Sequence, residues 1–397
     1  MNSNCYQDEI ILGDIMLRNE KLKIFLKSFI FPMLTSINKF VPKDDNLVLL
    51  YSPNRGIEHN LRPLRDYMLK HHYNKRYHIV CCVSSSIYFE DDGLEYVTQG
   101  KGIWYFFKTK HVFYTTGQIP IKPSRNQIVI HMDHGTTAIK TEGFLKKRYS
   151  GDINYFSLYC APSKIYVDVI KKEFHCNDEN IVINSEPVTD VLLDEIEKYD
   201  FGNYKKLGLW APTFRKSDYL GYDDSNEEDL LPTLKSEDYS ELNALLKHCN
   251  IKLIVKLHDM QELSKYTNID FSNLIILSGK DFDDRGYKLY EILKQTDFLI
   301  GDYSSVFLQY LLLNKPIGFA IPDIDDYREK RGFIFEPIED YMPGCKIKTK
   351  EELFQFIRDM ADGFDNYKSE RIHVNHLVNH FQDGKSCERL MQYSKMD

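Results

Sequence analysis

Short apolar runs recur along the chain with helix-length intervals between them, and no other feature constrains the fold as tightly. Runs at 47–51, 77–83, 112–115, 128–131, 158–161 and 181–184 are followed by a second series at 207–211, 252–257, 274–277, 298–301 and 317–320. Runs that are apolar throughout, rather than alternating, fit strands covered on both faces, and crossovers of this length join parallel neighbours. Two series predict an α/β protein with two Rossmann-like parallel-sheet domains facing a cleft. The expected partition is an N-terminal segment 1–45, an α/β domain 46–187, a second α/β domain 188–375, and a helix within 376–397 placed to pack back on the first domain. The break falls between Pro187 and Lys205, in a polar stretch rich in Asp and Glu.

Composition narrows the partners. Hydrophobic residues make up 43% of the 397-residue chain, as in folded proteins, and its net charge is −8. The stretch 218–238 carries eight acidic residues against one lysine and reads as a solvated loop. The remainder is nearly neutral, so no overall field advertises a nucleic-acid partner. The eight cysteines show no C-x-x-C spacing and no secretory signal precedes them, which fits thiols in a reducing cytoplasm. Histidines and cysteines do not cluster at zinc spacings, so no structural metal is expected.

Near the N-terminus, Leu22, Phe25, Leu26, Phe29, Met33, Leu34 and Ile37 form a helical apolar stripe, with Lys21, Lys23, Lys27 and Lys39 among or beside them. The longest uncharged run, 28–38, includes Pro32 and falls well short of the ~20 residues that span a bilayer. The stripe therefore reads either as a helix lying in a membrane surface or as one packed on the domain.

Four polar loops follow predicted strands. After 298–301 comes Asp302-Tyr303-Ser304-Ser305, where two hydroxyls and the backbone N–H groups of a following helix suit an anion. After 128–130 comes the run His131-Met132-Asp133-His134-Gly135-Thr136-Thr137, with a titratable imidazole beside small residues that leave room for a substrate. Arg215 closes the run 211–215 after the strand at 207–210, where a guanidinium grips phosphate bidentately. Lys256 and His258 end the strand at 252–257. In open α/β sheets such loops share the carboxyl edge, where ligands bind. Together they predict a site for a phosphorylated or pyrophosphate-bearing ligand.

The run GDYSSVFLQYLLLNKPIGF, then DIDDYREKRGF, together with DHGTT, APTFR and KLH, resembles the CDP-glycerol glycerophosphotransferase family, which builds teichoic acids and related polyol-phosphate polymers. The likeness extends from His131 to the region of Gly384. It implies a fold of the glycosyltransferase B type, a CDP-polyol donor held mainly by the C-terminal domain, a lipid-linked saccharide or polyol-phosphate acceptor, and a peripheral place at the cytoplasmic face of the membrane. No cofactor is implied, and the geometry requires no divalent metal. His134 resembles the histidine of the family's W-H-G-T motif, with Asp133 in place of tryptophan and with Gly135 and Thr136 following. His258 resembles the histidine of K-L-H-P, with Asp259 in place of proline. Arg215, Ser304 and Ser305 fall on positions resembling the donor-phosphate grip. Two departures stand out: Gln309 replaces an acidic residue, and Ser185-Glu186-Pro187-Val188 replaces G-x-P-R.

The implied chemistry is attack of an acceptor hydroxyl on the β-phosphorus of a CDP-polyol, CDP-glycerol first among them, with CMP leaving. His134 is the candidate base, and Lys256, His258, Arg215, Ser304 and Ser305 the candidate stabilisers of developing charge, with Gln309 facing the polyol. The alternatives are a nucleotide-sugar glycosyltransferase of the same fold and a non-catalytic binding descendant.

Overall fold

The computed structural model describes residues 26–53, 56–86, 89–134, 139–140, 154–213, 216–217, 222–223, 230–257 and 271–396. Two parallel sheets dominate it. The first comprises β1 (Asp44–Tyr51), β2 (His78–Val83), β3 (Glu95–Thr98), β4 (Thr109–Tyr114), β5 (Ile128–His131), β6 (Leu158–Ala161) and β7 (Ile181–Ile183), in the order β3-β2-β1-β4-β5-β6-β7. The second comprises β8 (Lys206–Trp210), then, beyond a small antiparallel ribbon of β9 (Lys216–Ser217) and β10 (Tyr222–Asp223), β11 (Ile251–Lys256), β12 (Leu274–Leu277), β13 (Phe298–Gly301), β14 (Ile317–Ala320) and β15 (Cys345–Ile347). Its order is β12-β11-β8-β13-β14-β15.

The central strands are apolar because both faces are covered. In β1, Val48, Leu49 and Leu50 are fully buried; in β13 every residue is. Gly208 lets β8 pass beneath the Phe298 ring, since a Cβ there would stand 2.3 Å from it. Strands β3 and β15 were absent from the sequence expectation. Each is a short edge strand with one partner, so neither carries a long apolar run. Within the acidic stretch 218–238, residues 218–221 and 224–229 lie outside the described residues.

Helices cover the sheets and then cross between them. The helix Lys350–Asp362, capped by Thr349 and ended by Gly363 in the left-handed conformation, sets Leu353, Phe356 and Ile357 against Ile347 and Phe298 of the second sheet. The helix Ser386–Ser394 instead sets Cys387, Leu390 and Met391 among Val48, Leu50, Cys81 and Ile130 of the first. Asp190 accepts hydrogen bonds from its first backbone amides, Ser386 N and Cys387 N, at 2.9 and 2.8 Å. The halves also meet where Ile334 N donates to Ile139 O at 2.9 Å and where Gln309 reaches Glu186.

At the other end, a π-helical turn Leu26–Ile30 leads into the helix Phe31–Asn38. One side is fixed to the domain: Asn38 is buried and donates to Lys122 O and Gln127 Oε1, both at 3.0 Å, and Leu34 packs on the core. The other side is bare. Phe29, Met33 and Ile37 are 66, 52 and 46% exposed, and Phe40 beyond them 85%. The stripe thus has one face packed on the domain and one exposed, though Leu22, Phe25 and the lysines at 21 and 23 lie outside the described residues. Among the described residues no helix is long and apolar enough to cross a membrane.

Candidate functional site

Strand order sets where the site can lie. In each sheet the order reverses once, between β1 and β4 in the first and between β8 and β13 in the second. Loops leaving adjacent parallel strands in opposite directions open a crevice at the carboxyl edge. The 211–213 and 302–305 loops flank that point in the second sheet, and Lys256 ends the neighbouring strand β11.

Asp302 explains part of the Asp-Tyr-Ser-Ser run. Its buried carboxylate accepts hydrogen bonds from Thr213 N at 2.8 Å, Thr213 Oγ1 at 2.6 Å and Ser304 N at 3.2 Å, so one side chain binds both loops of the crevice together. Tyr303 points into the core, stacked on Tyr327 with centroids 3.9 Å apart, and donates to Asp323 at 2.9 Å. That leaves Ser304 and Ser305 half-buried at the rim, and the Ser305 hydroxyl does not cap the helix Val306–Tyr310 that follows. Lys256 is half-buried, its ammonium 5.6 Å from the Phe282 ring centre. Arg215 and His258 lie outside the described residues, as do Gly135 and Thr136.

The two histidines at the end of β5 differ in exposure. His131 is buried and stacked on Tyr159 at 4.8 Å, and burial pushes its pKa down to about 4. His134 keeps 31% of its side chain exposed. Burial, opposed by the Asp133 carboxylate, also brings its pKa down to about 4, so the imidazole is neutral at ordinary pH and able to accept a proton. Its Nδ1 has no hydrogen-bond partner and lies 3.8 Å from Asp133 Oδ1. Asp133 adopts the left-handed conformation at φ 61°, and its carboxylate accepts from His134 N at 2.7 Å. The turn is held from outside as well: Thr115 Oγ1 and Asn60 Nδ2 each donate to Asp133 O at 2.7 Å.

Sequence reasoning passed over several of these groups. His59 is exposed, with its ring 5.7 Å from that of His134. Asn60 reads as an ordinary N-cap for the helix Leu61–Lys70, yet its side chain makes no cap and reaches the His134 turn instead. Gln309, expected at the polyol, is buried and donates to Glu186 Oε1 at 2.6 Å. Glu186 also accepts from Asn60 at 3.0 Å. Burial, reinforced by Asp133, pushes its pKa up to about 7.

Two Rossmann-like parallel-sheet domains with polar loops at their carboxyl edges define a fold of the glycosyltransferase B type, the architecture of solved wall teichoic acid polymerase TagF. That structure aligns over 97% of this chain and 95% of its own with a TM-score of 0.70 at 18% identity, and TagF has also been solved after soaking with CDPG. In sequence, residues 33–393 match CDP-Glycerol:Poly(glycerophosphate) glycerophosphotransferase, and the chain belongs to that family. The teichoic acid ribitol-phosphate polymerase TarL of Staphylococcus aureus is 28% identical over 92% of this chain, which spans 65% of the polymerase's length. The teichoic acid glycerol-phosphate primase of Bacillus subtilis is 29% identical over 62% of this chain and 59% of its own.

Proposed function

We propose that this protein transfers a polyol phosphate from a CDP-polyol to a hydroxyl of a lipid-linked acceptor in teichoic acid or capsular polymer synthesis, releasing CMP. The match to the glycerophosphotransferase family across residues 33–393 carries this reading, and the strand-edge loops supply the groups the reaction needs. The acceptor oxygen attacks the β-phosphorus, the bond from that phosphorus to the CMP oxygen breaks, and the hydroxyl proton passes to neutral His134. A base of such low pKa is weak, but the anionic donor alongside favours the imidazolium and raises its proton affinity. Lys256, Arg215, His258 and the N–H and hydroxyl groups at Ser304 and Ser305 receive the charge developing on CMP.

The motif block narrows the donor to CDP-polyols, and the family description favours CDP-glycerol. CDP-ribitol is a second reading, favoured by a ribitol-phosphate polymerase covering 92% of this chain. The bare face of Phe29, Met33 and Ile37 supports peripheral binding to the membrane that holds the acceptor. Incubation with either CDP-polyol and lipid-linked acceptors, following CMP, decides the donor. Tighter binding of a UDP- or GDP-sugar than of both CDP-polyols overturns the assignment in favour of sugar transfer.

A further inference from the structure

Glu186 is a buried carboxylate held by amides. It follows β7 in the first half, and among the described residues no lysine, arginine or histidine forms an ion pair with it. Its two oxygens are divided between the halves: Oε1 accepts from Gln309 Nε2 at 2.6 Å, and Oε2 from Asn60 Nδ2 at 3.0 Å. A buried carboxylate without a cation is costly, and two neutral donors offset that only in part. Such an arrangement calls for a reason beyond stability.

The bonds on either side supply one. Gln309 sits in the helix Val306–Tyr310, one turn from Ser304 and Ser305. Asn60 is fully buried and shares its remaining capacity between Asp133 O at 2.7 Å, Met132 O at 3.5 Å and, through its carbonyl, Val188 N at 3.1 Å. Asp133 in turn holds His134 N. An unbroken series of hydrogen bonds thus runs from the helix behind the serine loop, through Gln309, Glu186 and Asn60, to the turn that carries His134. Of the departures from the family pattern, Gln309 is a link in this series and Val188 adjoins it, its N–H donating to Asn60 Oδ1 at 3.1 Å.

We propose that Gln309, Glu186 and Asn60 are positioning residues that set the His134 turn at a fixed distance from the serine loop across the cleft, with Glu186 supplying from the first half the carboxylate that position 309 lacks. The inference rests on the proposed transfer reaction for what is being positioned; the strut itself is independent of it. Placing or withdrawing charge at the Gln309–Glu186 contact then alters turnover more than donor affinity, since Gln309, Glu186 and Asn60 are all buried.

The test uses the full chain as wild type, Q309E, E186Q and the reversed pair E186Q/Q309E at pH 8. Q309E brings two buried carboxylates together, and turnover measured by CMP release should fall by about tenfold, a coupling ordinary for residues in contact. The Kd for CDP-glycerol and CDP-ribitol by calorimetry should change by less than about threefold. The reversed pair restores an amide facing a carboxylate and should recover both turnover and Tm. Strictly additive Tm changes around the cycle overturn the strut. Coupled Tm values with turnover that follows Kd, or with no recovery in the reversed pair, overturn the positioning role. A wild type that releases no CMP from either CDP-polyol sinks the functional reading, while the Tm cycle still decides whether the contact exists.

Discussion

His134 and Glu186 lie along one hydrogen-bonded series, and burial moves their pKa values in opposite directions, both toward the neutral form. For His134 the consequence is catalytic. Replacing it with alanine should lower turnover at least ~100-fold with folding intact, as loss of a positioned base does, and His258→Ala should do the same through lost charge stabilisation. Near-normal turnover of either variant at saturating donor and acceptor removes its role. For Glu186 the consequence is a pH dependence of stability. Its folded pKa of about 7 lies above the ordinary 4.5, so between those values the folded chain holds a proton that the unfolded chain releases. Stability from this group is therefore present at low pH and declines as pH rises through the window, by roughly 3 kcal/mol in all. Urea denaturation at pH 5 and pH 8 should show that difference shrinking by about that amount in Glu186→Gln. An unchanged pH slope in the variant refutes it.

Among the elements, the long buried strands were legible because burial on both faces demands continuous apolar runs, and β1, β2 and β13 have them. The edge strands β3 and β15 escaped because one partner and partial exposure impose no such pattern. Strand-edge loops were legible for the same reason as the strands they follow, which placed His134, Lys256, Ser304 and Ser305 at carboxyl edges. Asn60 and Glu186 were not, because their meaning lies in contacts 73 and 126 residues away along the chain. The helix Phe31–Asn38 shows two faces with separable roles. Phe29→Ser, Met33→Ser and Ile37→Ser combined should weaken co-sedimentation with anionic vesicles at least ~10-fold and leave Tm nearly unchanged, since these side chains already face water. Leu34→Ala should lower Tm and spare vesicle binding. Equal vesicle binding by the triple variant would show that the bare face meets something other than lipid.

At the scale of the whole molecule, the two halves are tied by more than the cleft. The chain crosses from the second sheet back to the first, where Leu390 and Met391 are buried beside β1 and β2, and Tyr393 Oη donates to Ile183 O at 2.9 Å. Removing residues 386–397 should cost about 5 kcal/mol, from burial of those large side chains and Cys387. Hydrogen exchange should show the loss in β1, β2 and β7 and leave β8 and β13 protected; unchanged protection in β1 and β2 would mean the helix adds little. Asn184 and Ser386 are in contact yet 202 residues apart. At ribosomal speeds of roughly 5–20 residues per second, some 10–40 s separate the synthesis of the two. The half that emerges first from the ribosome thus waits, with the apolar face that takes up Cys387, Leu390 and Met391 open, until residues 386–394 are made, and nascent chains stalled in that interval present a surface that a chaperone can hold.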